Sequence, residues 1–174
     1  MIKNILIKTF SFLVFVFFSQ LNADKIYLLP DDFFVFQNDI KEAVSNSKEN
    51  IFILTSKFED IQIFKALKEK SKKSDINISI ISNKYEILEE HNLISALAMY
   101  SNIEIRLIQG LQKTDQQSDV FLLGNKLFIF SSKITKTDFN REYSVIYMSE
   151  NNETNEKFKE IFYILLNRSE EYFK

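Results

Sequence analysis

The chain has 174 residues, 45 % hydrophobic and 26 % charged, with a formal net charge of −2. That allows one domain with a real core and excludes both a disordered chain and a strongly basic, free-standing nucleic-acid binder. Cysteine is absent and His91 is the single histidine, so disulfides, thiol chemistry and cysteine-held metal are excluded and imidazole is scarce.

In chain order, residues 1–23 read as a signal peptide. Lys3 and Lys8 give a positive start, Phe10 to Phe18 form an apolar centre, and Ala23 suits the small residue before a cleavage point. The alternative is an uncleaved anchor, although the apolar centre is short for a span, which needs about 20 residues. Either way residues 24–174 form a single exported domain, periplasmic or secreted if the leader is cut, membrane-anchored and facing out if it is kept. Losing the leader removes two lysines and no acid, which makes the domain more acidic.

"KIYLLP", Lys25 to Pro30, is a short strand stopped by proline, and Asp31 or Asp32 can cap a helix after it. Phe33, Phe36, Ile40 and Val44 recur at helical spacing. "NIFILTS", Asn50 to Ser56, is a continuous apolar strand, the form expected where both sheet faces are covered. "IQIFKALKEKSKK" follows as an amphipathic helix, with Glu59 and Asp60 as acids at its start. "INISIIS" is the next strand, "YEILEEHNLISALAMY" the next helix and "IEIRLI" the next strand. Strands alternating with helices predict an α/β fold with a mixed, mainly parallel sheet flanked by helices.

The pattern then changes. Gln109 to Ser118 is polar and reads as a rim loop. "DVFLL" and "KLFIF" flank Gly124-Asn125, which predicts a β-hairpin over 120–131. "EYSVIYM" is one more strand. "NETNEKFKEIFYILLNRSEEYF" closes the chain as a long helix with Phe158, Ile161, Phe162, Leu165 and Leu166 on one stripe.

That order resembles the phospholipase D-like superfamily, above all its small exported single-domain members, which include nucleases. "NIFILTSKFEDIQIFKALKEKSKKSDINISIIS", "FLLGNKLFIFSSKIT", "FNREYSVIY" with Asn140 and Glu142, and "FKEIFYILL" carry the resemblance. The family's chemistry rests on H-x-K-x-x-x-x-D followed by G-S-x-N. One histidine attacks phosphorus, a second from a repeat or dimer partner protonates the leaving oxygen, and lysine and asparagine hold the phosphoryl oxygens. An imidazole suits the first two roles because it is basic yet unprotonated near neutral pH.

Laid on this sequence, the pattern puts the histidine at Gln116, the lysine at Ser118 and the aspartate at Leu123. G-S-x-N falls on Phe130, Ser131, Ser132 and Lys133. The serine survives and the three signature residues do not. Gln116 is no practical nucleophile toward a phosphodiester, and no histidine lies between Asn92 and Lys174. His91, in a presumed helix beside Glu89 and Glu90, reads as an exposed or helix-capping residue rather than a recruited nucleophile.

The resemblance thus implies an exported pseudoenzyme, catalytically impaired or inactive, that binds a protein partner or a phosphate-containing ligand. The partner would be a second copy of the chain or an intact phospholipase D-like protein. The alternative readings are an active phosphodiesterase, acting on phospholipid or nucleic acid through a non-standard site, and a purely structural envelope module. Lys133, with Ser118, Ser131 and Asn140, is the candidate anion site; it also reads as an ordinary solvated lysine at a strand end. Lys68, Lys70, Lys72 and Lys73 read as a solvated helix end, where cations complement the helix dipole, and less well as a nucleic-acid or lipid contact. Asp31, Asp32 and Asp39 lack the spacing of a metal cage. No cofactor or metal is expected.

Overall fold

The computed structural model describes residues 24–73, 75–108, 118–135 and 143–172. Eight strands form one sheet in the order β1-β7-β6-β5-β2-β3-β4-β8. They are β1 (Lys25–Leu29), β2 (Ile51–Leu54), β3 (Ile78–Asn83), β4 (Ile103–Ile108), β5 (Val120–Leu123), β6 (Lys126–Phe130), β7 (Ser144–Ser149) and β8 (Glu170–Glu171). The helices are α1 (Phe33–Asn46), α2 (Ile61–Lys73), the one-turn α3 (Ile94–Leu97) and α4 (Asn152–Asn167).

The sheet is mixed, as expected, but not mainly parallel. Only β2–β3 and β3–β4 pair in parallel; the other five pairs are antiparallel. Helix crossovers build the β2–β3–β4 part. The β5–β6 hairpin then inserts on the other side of β2, and β7 returns antiparallel beside it. Following the pairings, β1, β2, β3, β4 and β6 all run one way. Their C-terminal ends therefore share one rim with the start of β5.

Alternation along the strands divides the core in two. Tyr27, Leu29, Ile51, Ile53, Ile78, Ile80, Phe121, Phe128 and Phe130 face α1, α2 and α3 in the larger cluster. There Phe36 of α1 meets Tyr27, Phe128 and Phe130 edge-on, a geometry aromatic rings prefer over face-to-face stacking. Phe52, Ile81, Leu122 and Leu127 face the other way, against Phe158 and Phe162 of α4.

Local chemistry decides the element ends. Asp60 caps α2 by accepting from the N–H groups of Gln62 and Ile63, both at 2.8 Å. Asn151 caps α4 by accepting from the Thr154 N–H. Asp32 precedes α1 without capping it. Its Oδ2 instead accepts from the Leu28 N–H at 2.9 Å, while its own N–H donates to the Leu28 carbonyl. That covers outward-facing backbone groups of edge strand β1, which would otherwise invite strand pairing.

Two expected helices are shorter in the structure. Residues 85–100 are mostly turns, with α3 the only helical stretch. His91 sits at φ 67°. Asn92 donates to the carbonyls of Glu86 and Ser56 and accepts from the Ile94 N–H. Such side-chain to backbone bonds compete with helix bonds, and they win here. The closing helix stops at Asn167 because Ser169 Oγ donates to the Leu166 carbonyl and Arg106 of β4 donates to the Ser169 carbonyl. The chain then turns into β8 on the far edge.

In the hairpin, Gly124 takes φ 64° and no other non-glycine position but His91 among the described residues is positive. Glycine at the first turn position fits a type II′ turn, not the all-positive I′ pattern. A Cβ there would lie 3.3 Å from Ser47 Oγ.

Candidate functional site

The shared rim gathers the loop after β2, the end of β3, the start of β5 and the segment after β6. Its interior is polar: Thr55, Ser56, Ser82, Asn83, Glu86, Asn92 and Asp119 are all buried. Asp119 shares the inward side of β5 with Phe121 and is completely buried. Its Oδ1 accepts from the Ser56 N–H at 3.2 Å and its Oδ2 from the Ile134 N–H at 3.1 Å. It thereby ties the end of β2 to the segment after β6, next to the isolated Phe58–Ile134 bridge. Burial pushes the Asp119 carboxyl up to about 7, against the hydrogen bonds from Thr55, Ile134 and Ser56 and the charge of Lys133.

Lys133 leaves this segment and points inward. Its Nζ lies 2.5 Å from Oε1 of Glu86, whose side chain is 1 % exposed. The other Glu86 oxygen, Ser56 Oγ and Asn83 Nδ2 are buried with no hydrogen-bond partner among the described residues. Asn92 closes the cluster from the β3–α3 loop. On the outer lip, Lys57 bridges Glu59 and Glu89 at 3.0 and 3.4 Å, which raises its pKa.

The residues expected at the site separate into four groups. Lys133 is at the cluster, held by Glu86. Ser118 and Ser131 are exposed on the rim beside it. Ser131 Oγ accepts from the Val145 N–H at 2.9 Å, which leaves its hydroxyl proton available to an acceptor. Leu123 lies at the opposite end of β5, in the apolar core opposite Ile51. Gln116 and Asn140 lie outside the described residues. His91 sits in the turn next to buried Asn92, so it borders the rim, but its side chain is 69 % exposed and pairs with Glu90 at 3.5 Å.

Sequence reasoning missed Asp119, Glu86, Ser56, Asn83 and Asn92. For Asp119 a signal existed: two-residue alternation places it with Phe121 and Leu123 on the inward face of β5. Both Asp119 oxygens are occupied by backbone N–H groups, and the Lys133 ammonium is spent on Glu86. Among the described residues no group of three or more acids or imidazoles could hold a metal ion. No described helix is long and apolar enough to cross a membrane.

No family model matches the sequence, and no curated protein matches it. Solved structures do match in shape. NucT from Helicobacter pylori superposes with a TM-score of 0.77 at 20 % identity, covering 86 % of this chain and 99 % of its own. The phospholipase D family member Nuc from Salmonella typhimurium gives 0.71 at 19 % identity, covering 87 % of this chain and 99 % of its own. Polyphosphate kinase from Porphyromonas gingivalis gives 0.61 at 13 % identity over 82 % of this chain but 22 % of its own. With one mixed sheet, a hairpin at its centre and the strand ends gathered at a single rim, the chain has the phospholipase D-like fold.

Proposed function

We propose that this protein is an exported phospholipase D-like pseudoenzyme that works by binding and does not turn over phosphodiesters. The observation that carries this reading is the Lys133–Glu86 pair beside buried Asp119, where the resemblance places phosphate-holding groups. Phosphoryl transfer on this fold needs a nucleophile, a proton donor and a free cation facing the developing charge. The chain offers one imidazole, on an exposed turn, and its inward cation is neutralised. Loss of the acid–base pair alone removes roughly 10²–10⁴-fold for each role.

The partner is a second phospholipase D-like chain, a copy of this one or an intact relative, meeting it across the rim. A phosphate-containing ligand at Ser118, Ser131, Lys133 and Asn140 is the second mode of binding, and it requires Lys133 to leave Glu86. The test is an assay of the purified full chain on bis(p-nitrophenyl) phosphate and on plasmid DNA, with His91→Ala alongside, and light scattering for the oligomeric state. Hydrolysis at the buffer rate together with a stable dimer or a captured relative supports the proposal. Turnover that His91→Ala abolishes overturns it in favour of an active phosphodiesterase with a recruited histidine.

A further inference from the structure

On the sheet face opposite α1, α4 covers β5, β2 and β3. It reaches β6 at Leu127 and Ile129, and no described helix covers the same face of β7 and β1. Ile26 is 70 % exposed there and Leu28 43 %, opposite Tyr147 and Val145 of β7. Ile129 of β6 continues the row into a groove that Val120, Leu127, Phe158 and Ile161 line beside α4. The charged side chains of these strands turn to the other face: Lys25 pairs with Asp39 of α1, and Lys126 with Glu150. On the apolar side of these strands stands Asp24, held by Tyr147 Oη at 2.6 Å and Ser149 Oγ at 2.7 Å, while Glu153 and Lys157 of α4 stand on the far wall of the groove.

Those two bonds fix where the leader enters. Asp24 is pinned to a corner of the apolar face, and the run Phe10–Phe18 ends only at Ser19–Ala23 before it. Five extended residues span at most about 17 Å. A leader retained in a membrane therefore holds this corner within that distance of the headgroups. We propose that the β1–β7–β6 face rests on a lipid bilayer, with residues 1–23 kept as its anchor. Ile26, Leu28, Val145 and Ile129 enter the headgroup–acyl boundary, as apolar faces of peripheral elements do to a depth of about 5–10 Å. Tyr147 and Tyr143, 82 % exposed at the rim end, sit at headgroup level, where amphipathic rings are favoured. A kept leader favours a bilayer over a second copy, because it sets the distance to a membrane and to nothing else.

The chain contains no tryptophan, so Ile26→Trp supplies a single reporter on this face and Phe34→Trp, at a 77 % exposed position of α1, a control. Each full-length variant is reconstituted in phosphatidylcholine vesicles with and without brominated acyl chains. The expected result is that brominated lipid lowers Ile26→Trp emission by about twofold or more and leaves Phe34→Trp unchanged. Mass spectrometry of the chain purified from membranes shows residues 1–23 retained. Equal quenching of both reporters, no quenching of Ile26→Trp, or a chain beginning at Asp24 overturns the proposal. A blue-shifted but unquenched Ile26→Trp assigns the face to a second copy and overturns it as well.

Discussion

Lys133 Nζ lies 2.5 Å from Oε1 of Glu86, and the two residues are separated by 47 positions in the chain. A lysine that the sequence presents as a free cation at a strand end is thus half of a largely buried ion pair. Removing one member of such a pair strands the other without solvent. Lys133→Met is expected to destabilise the protein by about 3 kcal/mol, because it leaves the Glu86 carboxylate buried and unpaired. Glu86→Met with Lys133→Met should recover most of that loss. Urea midpoints of the two variants check it; a single variant as stable as the double would show that the pair is not closed in solution.

Asp119 makes stability depend on pH with an unusual sign. Its ordinary value is 3.8, and burial pushes it to about 7 in the fold. Between those values the unfolded chain has lost a proton that the folded chain keeps. Its contribution is therefore complete below pH 3.8, declines as pH rises through 7, and is absent above. Each pH unit of that window corresponds to about 1.4 kcal/mol at most. Comparing wild type with Asp119→Asn from pH 4 to 8 isolates the effect, since other carboxylates cancel in the difference. The wild-type advantage is expected to shrink steadily up to pH 7. A carbon-13 titration that finds the Asp119 carboxyl ionising near pH 4 would contradict it.

The hairpin turn offers a backbone test. Gly124 holds φ 64°, and a Cβ built on it meets Ser47 Oγ at 3.3 Å and Ser47 Cα at 3.5 Å. The left-handed conformation costs an L-residue about 1–2 kcal/mol, and the crowding against Ser47 adds to it. Gly124→Ala should lower the melting temperature by about 4 °C. Asn125→Ala should change it far less, since Asn125 does not occupy that region. A Gly124→Ala protein that melts with wild type would rule out the II′ turn.

The sequence carries the elements better than their assembly. Apolar stripes at 3.6 and 2.0 residues gave α1, α2, α4 and the main strands, because each stripe is the imprint of one buried face. The stretch 85–100 has such a stripe too, but Asn92 binds three backbone groups that a helix would have used, and hydrogen-bond competition of this kind leaves no periodic trace. Strand direction was also hidden. Whether β1 lies beside β2 or beside β7 depends on where the hairpin inserts, which is a long-range matter. At the site, Lys133 was legible as a cation in the place of an amide. Its neutralisation was not, since Glu86 looks like any other acid of "YEILEEH" until the fold brings it to Lys133.

The same pair governs whether the rim holds an anion. In the wild-type protein an incoming phosphate competes with Glu86 for the Lys133 ammonium. Ser131 keeps a hydroxyl proton to offer, but a neutral donor alone binds phosphate weakly. Glu86→Gln removes the competing charge and leaves a neutral amide against Lys133. Inorganic phosphate is then expected to move the amide resonances of Ser131 and Lys133 saturably, with an apparent affinity about tenfold or more above wild type, the scale of one charge-assisted contact. Titrations of both proteins followed by nitrogen-15 spectra make the comparison. If wild type binds phosphate as tightly as Glu86→Gln, Glu86 does not gate Lys133, and the rim is an anion site as it stands.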